Sequence, residues 1–225
     1  MFSNFYPNLV RVLEKYWGLF LQGAGYTLLL SFITVLFGTV LGSILALMRR
    51  SKHAPVSLFA TGYVEVIRGT PLLLQLYLFY FMLPDVLPML NLSKFACVSI
   101  ALVINSSAYV CELVRAGIQA VDYGQSEAAR TLGLSARQTM LRIVMPQAVK
   151  NILPALGNEF VTVIKETSLA STFFVGDLMT QYSTVRGSMY LVIEPLVVVG
   201  VIYFILTFTL SKAVNAFERR LKVSD

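Results

Sequence analysis

Formal charge is scarce in this chain of 225 residues: 13% are Asp, Glu, Lys or Arg, against 56% hydrophobic. A mean hydropathy of +0.72 lies far outside the range of a soluble domain of this length, which leaves an integral membrane protein. Histidine occurs once, as His53 in a short basic loop. That excludes paired imidazoles, and no other spacing of metal ligands is present, so no metal site is expected. The two cysteines, Cys97 and Cys111, lie in one apolar run. On a helix they would stand roughly 21 Å apart, beyond the reach of a disulfide, and are expected to pack as free thiols. The chain has no G-x-x-x-x-G-K-[S/T] phosphate loop, no catalytic constellation and no internal repeat. It is expected to be no enzyme and to bind no cofactor of its own.

What the chain does have is long apolar runs. Residues 23–48 carry no formal charge, enough for roughly 39 Å of helix against a hydrocarbon core of about 30 Å. Five spans are predicted, at about 22–48, 57–83, 94–115, 151–172 and 194–215. The second holds Glu65, Arg68 and Pro71, and the fourth holds Glu159, Lys165 and Glu166, so these two are the least apolar. Net charge is +6, and its distribution reads as topology rather than as nucleic-acid binding. Arg49, Arg50 and Lys52 follow the first run; Arg115, Arg130, Arg137, Arg142 and Lys150 surround a central loop; Lys212, Arg219, Arg220 and Lys222 follow the last. By the positive-inside rule these regions are cytoplasmic and 84–94 and 175–195 are external. The expected fold is therefore all-α and polytopic, with five transmembrane helices, the N-terminus outside and the C-terminus cytoplasmic. The opening residues lack a basic stretch and a small-residue cleavage site, which argues against a removable signal. Phe2, Phe5, Leu9, Val12, Leu13 and Tyr16 recur at near-helical spacing, and residues 3–18 are predicted to be an amphipathic helix on the outer surface. The whole of 1–225 is expected to form one transmembrane domain.

The polar loop at 120–147 interrupts this pattern. Residues 127–132 favour helix, Gly133 can take the left-handed conformation that stops one, and Ser135 with Gln138 forms a capping box. A helix-turn-helix is predicted, set between membrane spans. Small Ala128 and Ala129 would let a partner approach the backbone closely, with the Glu127 carboxylate at the edge of the contact.

The run Glu127-Ala128-Ala129, three residues, Gly133, nine residues, Ile143-Val144-Met145-Pro146 resembles the EAA loop of ATP-binding-cassette importer permeases. Arg68-Gly69-Thr70-Pro71-Leu72-Leu73 with Gln75 resembles the polar amino-acid group of that family. So do Asn105-Ser106-Ser107-Ala108-Tyr109 with Glu112 and Arg115, Leu153 to Glu159, and Lys165-Glu166-Thr167-Ser168-Leu169. The resemblance implies the permease fold of binding-protein-dependent importers in the bacterial cytoplasmic membrane. It implies docking of cytosolic ATPase subunits, which bind ATP and Mg, at Glu127, Ala128, Ala129 and Gly133. The implied partners are a second permease subunit, two such ATPases and an extracytoplasmic binding protein that delivers a polar amino acid. Alternating access driven by ATP is the implied mechanism.

Buried polarity marks an expected path independently of that resemblance. A charge near the bilayer centre costs at least about 2.5–3.5 kcal/mol, so polar residues in the spans need partners or water. Asn105, Tyr109 and Glu112 share one helical face, as do Asn158, Thr162 and Lys165. Gly69 with Pro71, and Pro154 with Gly157, are expected to break or bend their helices and free backbone groups. Gly69, Thr70, Gln75, Asn105, Glu112, Asn158, Glu159 and Thr162 are the candidate pathway residues. Glu65–Arg68 and Glu112–Arg115, three apart, can also be local ion pairs that only fix the spans. An ion-gradient-driven amino-acid carrier, with Glu112, Glu159 or Lys165 as a relay, is the rival reading, and a membrane scaffold for a cytosolic partner is a third.

Overall fold

A computed structural model describes residues 4–222, which are helical almost throughout and contain no strand. Helix α1, Phe5–Arg49, runs unbroken for 45 residues, about 67 Å at 1.5 Å per residue. Next come α2, Ala54–Gly69, and α3, Leu72–Val86, then a short 3-10 turn and α4, Lys94–Gln119. Two short helices, α5 (Tyr123–Thr131) and α6 (Ala136–Thr139), lead through a π-helical turn, Met140–Val144, into α7, Met145–Glu166. A 3-10 stretch, Thr167–Phe173, precedes α8 (Leu178–Met189) and α9 (Ile193–Lys222).

Three of the described helices, within α1, α4 and α9, are long and apolar enough to cross a membrane, and the bent pair α2–α3 makes up to four. Helix α7 has the length, 22 residues, but Lys150, Glu159, Lys165 and Glu166 dilute its apolar character. The expected break in the second span is present. Thr70 and Pro71 are both extended, because Pro71 offers no N–H to α2 and crowds the residue before it out of helical geometry. The expected bend in the fourth span is absent as a break: Pro154 lies inside an uninterrupted α7. Gly157 serves close packing instead, since a Cβ there would stand 2.6 Å from a methyl of Val214 on α9. Residue 3, where the predicted surface helix begins, lies outside the described residues. From Phe5 onward that segment is helical, but it continues into the long apolar run without a stop.

The chain packs as two compact units. The first holds the residues up to Thr34, Pro71–Val103 and Phe160–Leu210. In it Val12 and Phe20 of α1 pack on Leu178 and Val185 of α8 and on Val198 and Val199 of α9, with Leu9, Leu13 and Tyr16 alongside. On this face Val12 is fully covered by protein and Leu9, Leu13 and Tyr16 are covered in part. A second core in this unit joins Leu30, Leu76, Val98, Leu102 and Phe173. Asp177, fully buried, caps α8 by accepting from the Met179 N–H at 3.0 Å and from the Thr180 hydroxyl.

The second unit holds Val35–Thr70, Ile104–Glu159 and the residues from Ser211. Leu45, Ala46, Ala60, Val64, Ala108 and Cys111 form its core. In lipid no hydrophobic drive pulls helices together, so association depends on how closely backbones fit. At Gly42 a Cβ would lie 2.6 Å from the Ser107 carbonyl oxygen, so α1 meets α4 there only because no side chain intervenes. Tyr63 adds a polar tie, its hydroxyl donating to the Ile104 carbonyl at 3.0 Å and standing 2.8 Å from the Ser107 hydroxyl. Cys97 and Cys111 are buried and unbridged, as their spacing requires.

Candidate coupling element and transport path

The predicted helix-turn-helix is present, and short-range hydrogen bonds build all of it. Asp122 starts α5 by accepting from the Gly124 N–H at 2.6 Å. At the other end Gly133 has φ +85°, a conformation that costs a residue with a Cβ about 1–2 kcal/mol. The Gly133 N–H reaches the Arg130 carbonyl at 3.0 Å and the Leu134 N–H reaches that of Ala129 at 3.1 Å, the paired bonds of a Schellman stop. Two residues later Ser135 and Gln138 close a capping box: the Gln138 N–H donates to Ser135 Oγ at 3.3 Å and the Ser135 N–H to Gln138 Oε1 at 2.9 Å. The π-helical turn then brings the Met145 N–H to the Met140 carbonyl.

Glu127 and Ala128 are exposed at the surface of α5, and Gly133 at its end. Ala129, expected to face a partner, is 6% exposed; one residue on from Ala128, it turns into the fold. The sequence reading missed Tyr123 and Leu132, which are 75% and 81% exposed. Leu132, an apolar residue beside Gly133, was the signal available in the sequence. An open concavity of about 700 Å³ lies beside α5 and α6, lined among others by Tyr123, Glu127, Arg130, Ala136 and Met140.

Glu112 is engaged by arginines. One carboxylate oxygen accepts from Arg49 and the other from Arg115, at 2.8 Å from Nε and 2.5 Å from a terminal nitrogen. Arg68 approaches to 3.8 Å. The Glu112–Arg115 pair three apart is thus present, whereas the Glu65–Arg68 pair is not. Glu65 is exposed and makes no ion pair among the described residues, and Arg68 turns toward Glu112 and over the Tyr109 ring, 5.6 Å from its centre. A carboxylate held by three guanidiniums is a tie between α1, α2 and α4, consistent with the cost of isolated charge in a membrane.

Glu159 stands apart from that. It is partly buried and accepts from the Ser106 hydroxyl at 2.9 Å, with no cation beside it among the described residues. Asn105 is 3% exposed on α4, whereas Asn158, Thr162 and Lys165 lie open along one face of α7. In the first unit Gln75 is 3% exposed on α3. Gly69 faces open space at the end of α2, and the Thr70 hydroxyl turns back to the Val66 carbonyl at 2.9 Å. The second unit therefore brings Glu159 and Ser106 together and ties Glu112 off; the other positions are not joined by these contacts.

A capped helix-turn-helix thus stands between the apolar helices of this chain. Residues 38–223 match the family model described as binding-protein-dependent transport system inner membrane component. The chain belongs to that family: it is a multi-pass inner-membrane transport subunit of an ATP-binding-cassette system, in which a separate subunit carries ATP hydrolysis. It is 40% identical over 205 residues to the arginine transport system permease protein ArtQ of Bacillus subtilis, covering 91% of this chain and 93% of that one. Identity to the probable glutamine ABC transporter permease protein GlnM of the same organism is 40% over 215 residues, 96% and 99% of the two chains. A crystal structure of an amino acid ABC transporter with histidines aligns at a TM-score of 0.87 with 46% identity, covering 92% of this chain and 96% of that one. The inward-facing MetNI methionine ABC transporter aligns at 0.73 with 20% identity, over 90% and 96% of the two chains, a likeness of fold.

Proposed function

We propose that this permease passes a polar amino acid from an extracytoplasmic binding protein to the cytoplasm, and that α5, Gly133 and α6 are where the ATPase grips it. The observation that carries the second statement is the helix-turn-helix itself. Its shape is set by its own caps, and its tip exposes Glu127, Ala128 and Leu132. Relatives named for arginine and glutamine transport support an amino acid as cargo.

In this reading the chain crosses the bilayer five times, counting α2–α3 and α7, with the N-terminus outside. It pairs with itself or with a similar permease, and each permease receives one ATPase, which holds the ATP and Mg. Closure of the ATPases on ATP draws the two helix-turn-helix elements together and turns the spans outward; hydrolysis returns them. Pairing also answers a cost within the chain, since Asn158, Thr162 and Lys165 cannot face lipid cheaply. A water-filled path between two permeases would cover them. Glu159, with only a hydroxyl partner, Asn105, Asn158, Thr162 and Gln75, together with Gly69 and Thr70 at the break, are the path residues of this proposal.

The test is uptake of labelled arginine and glutamine into vesicles holding the permease, its ATPase and its binding protein. Uptake that needs ATP inside and the binding protein outside supports the proposal. Uptake by the permease alone, driven by a proton or sodium gradient, would refute it.

A further inference from the structure

We propose that Gly38 is a positioning residue for transport: by leaving room beside Ser106 of α4 it aims that hydroxyl at Glu159 of α7 and so fixes which way the carboxylate faces. The proposal rests on the reading of Glu159 as a path residue. All three residues belong to the second unit.

The other buried serines of α1 and α4 turn back on their own helix. Ser31 donates to the Thr27 carbonyl at 2.8 Å, Ser99 to that of Phe95 at 2.7 Å and Ser107 to that of Ile104 at 2.7 Å, the ordinary use of a serine inside a helix. Ser106, equally buried, instead crosses to another helix and meets Glu159 Oε1 at 2.9 Å. Against it stands the backbone of α1 at Gly38, where a Cβ would lie 3.0 Å from Ser106 Oγ and 3.1 Å from Ser106 Cβ. Contacts that short force a neighbour to give by a few tenths of an ångström, so an alanine at 38 displaces the very hydroxyl that Glu159 accepts from. Helix α1 has little room to yield elsewhere, because Gly42 one turn on brings it equally close to the Ser107 carbonyl. Among the described residues Ser106 is the one hydrogen-bond partner of the Glu159 carboxylate. A carboxylate with a single donor takes its orientation from that donor, and its second oxygen is left to face the path.

The experiment uses the full-length permease with its ATPase in vesicles, as wild type, Gly38→Ala, Ser106→Ala, the two combined, Ser106→Thr and Glu159→Gln. Two quantities are read. One is the infrared band of the Glu159 carboxyl in protein carrying isotope-labelled glutamate, assigned as the band that Glu159→Gln removes. The other is ATP-driven uptake of labelled arginine and glutamine with the binding protein outside. Ser106→Ala and Gly38→Ala are both expected to shift the band and to lower uptake, by about fivefold and about threefold, the scale of a hydrogen bond lost or strained. The combined variant is expected to match Ser106→Ala, since Gly38 acts through that hydroxyl, and Ser106→Thr, which keeps the donor, is expected to hold the band in place. An unshifted band in Gly38→Ala would overturn the proposal. So would a further fall in uptake when Gly38→Ala is added to Ser106→Ala, since Gly38 would then act by packing alone. Should Gly38→Ala fail to accumulate, an unshifted band in Ser106→Ala overturns the proposal equally. A shifted band in Gly38→Ala beside normal uptake by Glu159→Gln would take Glu159 out of the path and end the transport role of Gly38, leaving only the contact.

Discussion

Two polar regions of the second unit are built by opposite means. In the helix-turn-helix, the proposed handle, the hydrogen bonds that shape the turn join residues no more than five apart, from Asp122 to Thr139. In the arginine tie, Arg49 reaches Glu112 across 63 positions of sequence. A locally stabilised element keeps its shape while its surroundings move, which suits a handle. A long-range tie holds different helices in one arrangement and suits the frame the handle works against.

The largest expected effect comes from breaking the tie. Glu112→Gln would leave three guanidiniums without their carboxylate, and removing one partner of a largely covered ion pair costs about 3–5 kcal/mol when burial is complete. Since the arginines are partly exposed, about 2–3 kcal/mol is expected here, seen as a clear drop in the melting temperature of the detergent-purified chain. A variant of unchanged melting temperature that loses uptake would move Glu112 from frame to path and erase the contrast.

Next is Gly133→Val. The positive φ costs a β-branched residue upward of about 1–2 kcal/mol, confined to a turn whose disruption need not unfold the spans. Insertion and melting are expected to stay near wild type, while ATPase co-purification and ATP-dependent uptake fall sharply. Normal yield of the complex with normal uptake would contradict the handle. Ser135→Ala removes one arm of the capping box and about 1 kcal/mol, so a partial loss of coupling is expected, measurable as fewer molecules transported per ATP hydrolysed. The smallest structural effect is expected for Glu159→Gln, whose amide oxygen can still accept from Ser106. Melting should hold while uptake changes; failure to insert would assign Glu159 to the frame.

The same division decides what the sequence made readable. Asp122, Gly133 and the Ser135–Gln138 box act on residues a few positions away, so the helix-turn-helix could be read from spacing alone, as could the break that Pro71 imposes. The partner of Arg68 could not. Spacing offered Glu65 one turn back, but α2 crosses α4 so as to present Tyr109 and Glu112, and nothing local encodes that crossing. What packs on the first stretch of α1 was unreadable for a related reason. Leu9, Val12, Leu13 and Tyr16 declare an apolar face, but whether lipid or α8 and α9 cover it depends on residues more than 160 positions away. Pro154 and Gly157 look like helix breakers in isolation, and packing on Val214 gives Gly157 a different use. Of the path residues, Asn158 and Thr162 were readable as one face of α7, whereas the Ser106–Glu159 contact joins two helices and was not.

The most direct test of the handle uses the two adjacent alanines. Ala128 is exposed and Ala129 is 6% exposed, and the native cysteines are buried and should stay silent. With the assembled transporter and a short bifunctional thiol cross-linker, Ala128→Cys is predicted to link to the ATPase subunit rapidly and Ala129→Cys to link slowly or not at all. Cross-linking at neither position in a complex that still shows ATP-driven uptake, or at Ala129→Cys alone, would contradict it.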